Sequence, residues 1–168
     1  MANVRISGDT SGYVELQAPA VAGTTTLTLP TTSTEIPVIS TGTFTPAFVN
    51  GSFTLTTAAG NYYKIGDLVW VSIRLLWTAS SGSGSLDISG FPFTAKIESN
   101  TFSNLTAAYI QGWEISASDS PPFFFINPNS STVLCYYAND NATPTQPDVS
   151  DLSGGSGQLI LSGVVYVE

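Results

Sequence analysis

The sequence predicts an all-β protein: an antiparallel β-sandwich or jelly-roll knob preceded by an extended, β-rich N-terminal arm, with no substantial helix. Three observations lead there. No segment sustains apolar residues at helical spacing, and the helix formers Lys, Glu and Met are scarce. Short alternating apolar runs recur between turn signals supplied by 15 Gly and 10 Pro, a sandwich pattern rather than one of parallel βαβ units. The longest run places Val69, Val71, Ile73, Leu75 and Trp77 at every second position, which is one face of a strand.

The first 42 residues differ from the rest. NVRIS, YVELQAPA, TTLTLPTT and EIPVIS are short apolar pieces, broken by Gly8, Gly12 and Gly23 and by Pro19, Pro30 and Pro37. None is long enough to build a core alone. Tyr13, Val14, Leu16, Leu27 and Leu29 are nevertheless too apolar for a solvated leader. The segment 1–42 is therefore read as an arm that needs a partner, and 43–168 as the knob.

Within the knob, Phe44 and Phe48 flank Pro46 in an edge or irregular strand. Phe53 and Leu55 alternate with Ser and Thr in a half-buried strand, and Gly60-Asn61 is read as a turn. Gly66-Asp67 turns into the long strand, whose other face carries Leu68, Trp70, Ser72, Arg74 and Leu76. That face is mixed, so Leu68, Trp70 and Leu76 are candidates for a second sheet or a subunit seam. The Ser/Gly loop after Ala79 reads as the tip of a hairpin leading into Leu86 and Ile88, which alternate with Ser85, Asp87 and Ser89. Phe123–Ile126, Thr132–Ala138 and Gln158–Val167 are further strands, and Asn139–Gly157 is an exposed polar loop.

Charge narrows the functional classes. The net charge is −8, only 10% of residues are charged, and hydrophobic content is 42%. The four basic residues, Arg5, Lys64, Arg74 and Lys96, form no cluster, which argues against a nucleic-acid partner and against an anionic membrane surface. A surface so poor in charge is explained by burial between subunits. The single cysteine, Cys135, excludes an intrachain disulfide and reads as a small buried hydrophobe. No basic-then-apolar leader is visible and no apolar run reaches a membrane span, so synthesis in a cytoplasm is expected.

Catalysis is not expected. The chain has no histidine, which excludes Ser-His-Asp and Cys-His chemistry and histidine-ligated metal. No phosphate-cradling loop ends in Lys-Ser or Lys-Thr, and the carboxylates are scattered singly. Asn139, Asp140, Asn141, Asp148 and Asp151 supply oxygen atoms without the spacing of a calcium loop, and no cofactor is implied. Tyr109, Trp113, Phe123, Phe124, Phe125, Tyr136 and Tyr137 could supply a surface for stacking on a sugar, with Tyr109, Trp113, Tyr136 and Tyr137 the named candidates, set against a structural role in core or interface.

Two segments also resemble a known group. Gly8–Pro30, GDTSGYVELQAPAVAGTTTLTLP, is similar to a motif that recurs in tail-fibre and virion surface proteins of bacteriophages, notably phages of cyanobacteria. Gly42–Phe93 resembles a C-terminal fibre or decoration domain through GTFTP, YKIGDLV, the long apolar strand, GSG and LDISGFPF; the terminal LSGVVYV resembles its closing strand. Thr94–Asp151 is not covered. The resemblance implies a homotrimer on the virion surface, made in the host cytoplasm and fixed to capsid or tail proteins through the arm residues Tyr13, Val14, Leu16, Leu27 and Leu29. The chain begins almost at the motif, without a long shaft, which suits a capsid-decorating (cement) protein or a short head or tail fibre. The alternative is a receptor-binding fibre tip that recognises host surface polysaccharide through Thr94–Asp151.

Overall fold

The computed structural model describes residues 3–7, 13–17, 38–98, 102–114, 120–138, 143–152 and 155–168. Eleven strands follow in chain order: β1 Asn3–Ser7, β2 Tyr13–Gln17, β3 Ile39–Phe44, β4 Ala47–Phe48, β5 Ser52–Ile65, β6 Leu68–Ser81, β7 Ile88–Ser89, β8 Ser103–Gln111, β9 Phe123–Ile126, β10 Val133–Tyr136 and β11 Gly157–Tyr166. A single 3-10 turn spans Val149–Asp151 among the described residues. The chain divides into two compact units, Met1–Ile36 and Pro37–Glu168.

In the first unit β1 and β2 pair antiparallel, from Asn3 opposite Gln17 to Ser7 opposite Tyr13. Tyr13, Val14 and Leu16 belong to β2, with their side chains outside the described residues; Leu27 and Leu29 lie wholly outside them.

The second unit is one nine-stranded antiparallel sheet in the order β3-β5-β6-β11-β8-β9-β10-β7-β4. Its two outermost strands are β3 and β4, yet only Thr45 and Pro46 separate them in the chain. Three extended peptide steps reach no more than about 11 Å. The two edges must therefore approach each other, so the sheet curls round and faces itself across the core. This is the all-β, sandwich-like knob the sequence predicts, with one curled sheet supplying both layers. The sheet begins at Ile39, opposite Ile65, ahead of the boundary expected at residue 43.

The long hairpin β5–β6 dominates. Gly66 and Asp67 form a two-residue turn with Gly66 at φ 57°, the position where a type II′ hairpin requires a glycine. Such a turn sets Ile65 opposite Leu68 and Tyr63 opposite Trp70. On β6 the alternation holds: Val69, Val71, Ile73, Leu75 and Trp77 are buried. Two offsetting register shifts near Leu55 move the inward set of β5 from Phe53 and Leu55 to Ala58 and Tyr62.

Three expectations are corrected. Gly60-Asn61 is no turn but lies inside β5; Gly60 is there because the Phe44 ring on the neighbouring strand occupies the space a side chain would need. The Ser/Gly loop after β6 does not close a hairpin: β7 pairs with β10 and β4, and β6 pairs with β5 and β11. Between Leu86 and Ile88, Asp87 is also turned inward. It is buried and accepts hydrogen bonds from Ser85 Oγ (2.9 Å), Gln146 Nε2 (3.1 Å) and the Cys135 amide (3.3 Å). A buried carboxylate persists only with such partners.

The polar stretch 139–157 is likewise more than an exposed loop. Its described part is stitched in by bridges Tyr137–Thr145, Ser85–Asp148 and Trp113–Leu152, and it buries Val149 and Leu152. Asp148 caps the 3-10 turn: it accepts from the Ser150 amide and hydroxyl (2.8 Å each) and from the Gly84 amide (2.7 Å), while Asp151 Oδ2 accepts from the Asp148 amide (2.8 Å).

Candidate functional site

The outward residues of β3, β5, β6 and β11 fall into rows fixed by the pairing register. Ile39, Ile65, Leu68 and Tyr166 make one row; Thr41, Tyr63, Trp70 and Val164 make the next. All but Thr41 are large and apolar, and each is 41–59% exposed. Tyr63, Ile65, Leu68, Trp70 and Val164 enclose a shallow groove of about 200 Å³. At roughly 80 Å² apiece, a plausible open share for side chains of this size, the seven present some 550 Å² of apolar surface. That is the upper end of the largest patch on a typical monomer, about 300–600 Å².

The patch has a sharp end. Farther along the strands the rows become Asn61, Ser72 and Ser162, then Ala59, Arg74 and Ile160. Leu68 and Trp70 are thus brought together as a site, and Leu76 is not: Ser72 and Arg74 stand between it and Trp70. Sequence reasoning missed Tyr63 and Ile65, although the two-residue Gly66-Asp67 turn already fixed them opposite Trp70 and Leu68. Val164 and Tyr166 were beyond its reach, because they depend on which strand takes the other side of β6.

The aromatic candidates split. Tyr137 is 3% exposed, and Trp113 packs against the core with its ring 6.2 Å from that of Phe124. Tyr137 offers no face to a ligand, and Trp113 is only partly exposed. In β8 a register shift against Ile160 and Leu161 inserts an extra residue, which turns Tyr109 outward to 47% exposure and Ile110 inward. Tyr136 is half-buried and belongs to a different cluster. On the outer face of β9 and β10, Phe123, Phe125 and Tyr136 lie with ring centroids 5.5–6.0 Å apart and planes within 35° of one another. Phe102 joins at 6.1 Å from Phe125. Phe102 is 59% and Phe123 38% exposed. The rings meet because Phe123 pairs directly with Tyr136 across the strands, two residues from Phe125.

Beside this ridge runs an open groove of about 290 Å³, lined by Asn104, Thr106, Ile110, Pro121, Pro122 and Phe123 among others. Among the described residues the charged groups lie elsewhere. Lys64 sits 5.3 Å from the Phe93 ring centroid, and Lys96 pairs with Glu98 (3.3 Å) and Asp67 (3.5 Å) on the surface. Burial, and secondarily the nearby Asp87 carboxylate, push the Cys135 thiol well above the usual thiol range, so it is no nucleophile. Among the described residues no group of three or more Cys, Asp or Glu is arranged to hold a metal ion.

No protein-family model matches the chain, and no curated protein matches it. The chain is similar to the solved structure of the Dettilon tailspike protein (gp208), with 22% identity and a TM-score of 0.60 over 79% of this chain. The match spans 24% of the tailspike, so this chain corresponds to about a quarter of that protein's length. At this identity the likeness is one of fold: the curled antiparallel knob recurs as part of a tailspike.

Proposed function

We propose that the chain is a structural component of a phage particle, a homotrimer whose knobs pack through the outer face of β3, β5, β6 and β11 and whose N-terminal arm fixes it to capsid or tail proteins. Its role is mechanical rather than catalytic, as a capsid-decorating (cement) protein or a short head or tail fibre. The observation that carries the reading is the two-row apolar patch centred on Leu68 and Trp70. Some 550 Å² per protomer approaches the roughly 800 Å² per partner of a stable protein interface, and neighbouring polar rows can supply the rest as a rim. The fold likeness to part of a tailspike and the sequence resemblance to virion surface proteins support the particle setting.

Two measurements test it. Light scattering at micromolar concentration is expected to give a trimer, and Trp70→Ser with Leu68→Ser a monomer. Trp70 is 48% exposed; the open part of an indole, roughly 100 Å², is worth about 2.5 kcal/mol per protomer when buried. Over three protomers that is about five orders of magnitude in the trimer dissociation constant. A wild-type monomer sinks the reading. For attachment, residues 1–36 are removed so that β3 stays whole, and binding to purified particles is compared with the full chain; undiminished binding removes the arm from the model. The rival role, a receptor-binding tip, predicts few copies per particle where a decoration protein predicts many.

A further inference from the structure

We infer that the aromatic cluster of Phe102, Phe123, Phe125 and Tyr136 is the surface that receives the Trp70 patch of a second copy of the chain, so that the knobs join head to tail and close as a ring. The inference rests on the reading that the knobs associate through the Trp70 patch, and it names the other face of that contact. The pairing register puts both surfaces in the same rows. Gly163 stands opposite Leu105; one further step sets Val164 beside Asn104, and continuing sets Tyr166 beside Phe102. The Tyr166 amide donates to the Ser103 hydroxyl (3.3 Å), which holds the two segments together to that point. Asn104 in turn lies opposite Phe125. The row of Ile39, Ile65, Leu68 and Tyr166 therefore runs on to Phe102, and the row of Tyr63, Trp70 and Val164 runs through Asn104 to Phe125. Phe123 and Tyr136, paired with each other, stand in the next row. The result is an apolar band across seven of the nine strands, from β3 to β10. The sheet curls until β3 and β4 approach each other, so the two ends of the band face different ways and one flat partner cannot cover both. A two-fold dimer sets like faces together and leaves the other end bare. Two neighbours, one at each end, cover the whole band. Contact between unlike faces closes into a ring when the rotation carries no rise, and faces that share rows meet that condition for an axis running with the strands.

The two faces also match in chemistry. The plane of Phe123 lies 17° from that of Phe125 and 26° from that of Tyr136. These rings turn their faces to one another, so what they offer outward is ring edge. Ring edges carry the positive part of the aromatic quadrupole and prefer the face of another ring. Trp70 and Tyr63, 48% and 43% exposed, supply two such rings. No charged residue stands in the row from Ile39 to Phe102 or in the row from Thr41 to Phe125. A contact core rich in aromatics and poor in charge is what protein interfaces show. The areas agree as well. Phe102 is 59% and Phe123 38% exposed, and Phe125 and Tyr136 are half-buried; together they present roughly 250 Å² of apolar surface. With the patch, one contact would bury about 800 Å² of apolar surface out of the roughly 1,600 Å² of a standard interface. That is about half, close to the apolar share of roughly 56–58% in such interfaces.

The test uses two variants of the full chain, read by light scattering and sedimentation. Leu68→Ser with Trp70→Ser removes the patch and keeps the cluster; Phe102→Ser with Phe123→Ser removes the cluster and keeps the patch. Each alone is expected to be a monomer at concentrations where the wild type is a trimer. Mixed in equal amounts, they should form a one-to-one dimer and nothing larger, because one sound patch and one sound cluster make a single contact. Melting temperatures confirm that each variant folds. Phe102→Ser alone, at the most exposed of the four positions, keeps the test open if the double variant does not fold; it should raise the concentration at which the trimer dissociates by about tenfold or more, and an unchanged concentration overturns the inference. A wild-type monomer removes the underlying reading and the inference with it. A trimeric wild type whose cluster variant is also trimeric leaves that reading standing and overturns the inference, as does an equimolar mixture that stays monomeric up to about 1 mM.

Discussion

Gly157→Ala tests the packing at the centre of the knob. Gly157 opens β11 directly opposite Trp77. A methyl group there would stand 2.6 Å from the Gln111 carbonyl oxygen and closer still to the Trp77 indole. Neither can retreat. Trp77 is fully buried and held by Phe48 and Phe53, whose rings meet it edge-on at 5.6 and 6.2 Å; Gln111 is backbone at the end of β8. Two effects oppose each other. Replacing glycine in a strand by alanine is favourable by about 0.5–1 kcal/mol on backbone entropy, while forcing a methyl into a packed core costs about 1–3 kcal/mol and more where nothing can move. The net expectation is a loss of about 2 kcal/mol, read from urea unfolding followed by circular dichroism at one fixed protein concentration. In a Trp77→Leu background the indole is gone but the Gln111 carbonyl remains, so the same substitution should cost clearly less than it does beside Trp77. Equal cost in both backgrounds, or a stabilised single variant, would falsify this account of why position 157 is glycine.

The remaining predictions concern charge and reactivity. Hydrogen bonds from the Ser150 and Gly84 amides and the Ser150 hydroxyl hold the Asp148 carboxyl below the ordinary carboxylate range. Its stabilisation is therefore complete above the unfolded value near pH ~4 and drains as pH falls through the folded one; Asp148→Asn should flatten the acid limb of the urea midpoint against pH, and an unchanged limb refutes the assignment. Cys135 should resist a thiol reagent in the native protein at pH 8 and react fully in denaturant; stoichiometric native labelling would contradict its burial.

Much of the fold was legible because alternation is a local signal. Strand β6 needed nothing beyond Val69 to Trp77, and β9, β10 and β11 announced themselves similarly. What failed were inferences about partners. Gly82 and Gly84 have φ near 110°, so the loop after β6 looks like a hairpin tip, yet it carries the chain to the far half of the curled sheet. Gly60 looked like a turn because glycine serves two ends: conformational freedom in loops, and empty space in sheets. Here it was the second, and only the approach of Phe44 from β3 reveals it. The aromatic cluster of β9 and β10 was visible as residue types, since Phe123, Phe125 and Tyr136 were all candidates for a stacking surface; which of them face outward was not. Choosing between core and surface for i, i+2 aromatics requires knowing which face of the sheet is inside.

The position of the apolar patch also bears on how an arm and a knob work together. The apolar rows lie at the Gly66-Asp67 end of β5 and β6, and the polar rows lie farther along the same strands. Val38 and Ile39, where the chain joins the sheet, are 74% and 59% exposed, and Ile39 is itself a member of the first row. The Val38 carbonyl accepts a hydrogen bond from the Gly66 amide (3.1 Å), which fixes the junction at that turn. A seam formed by this patch would then gather the three points at which the chains enter their knobs. Attachment segments starting from one place act on a shared target with a high effective concentration, so three individually weak arms hold where one would not. Phe102, Phe123, Phe125 and Tyr136 lie just before β8 and on β9 and β10, and β8 pairs with β11, so this aromatic cluster is one strand away from the Val164 side of the patch.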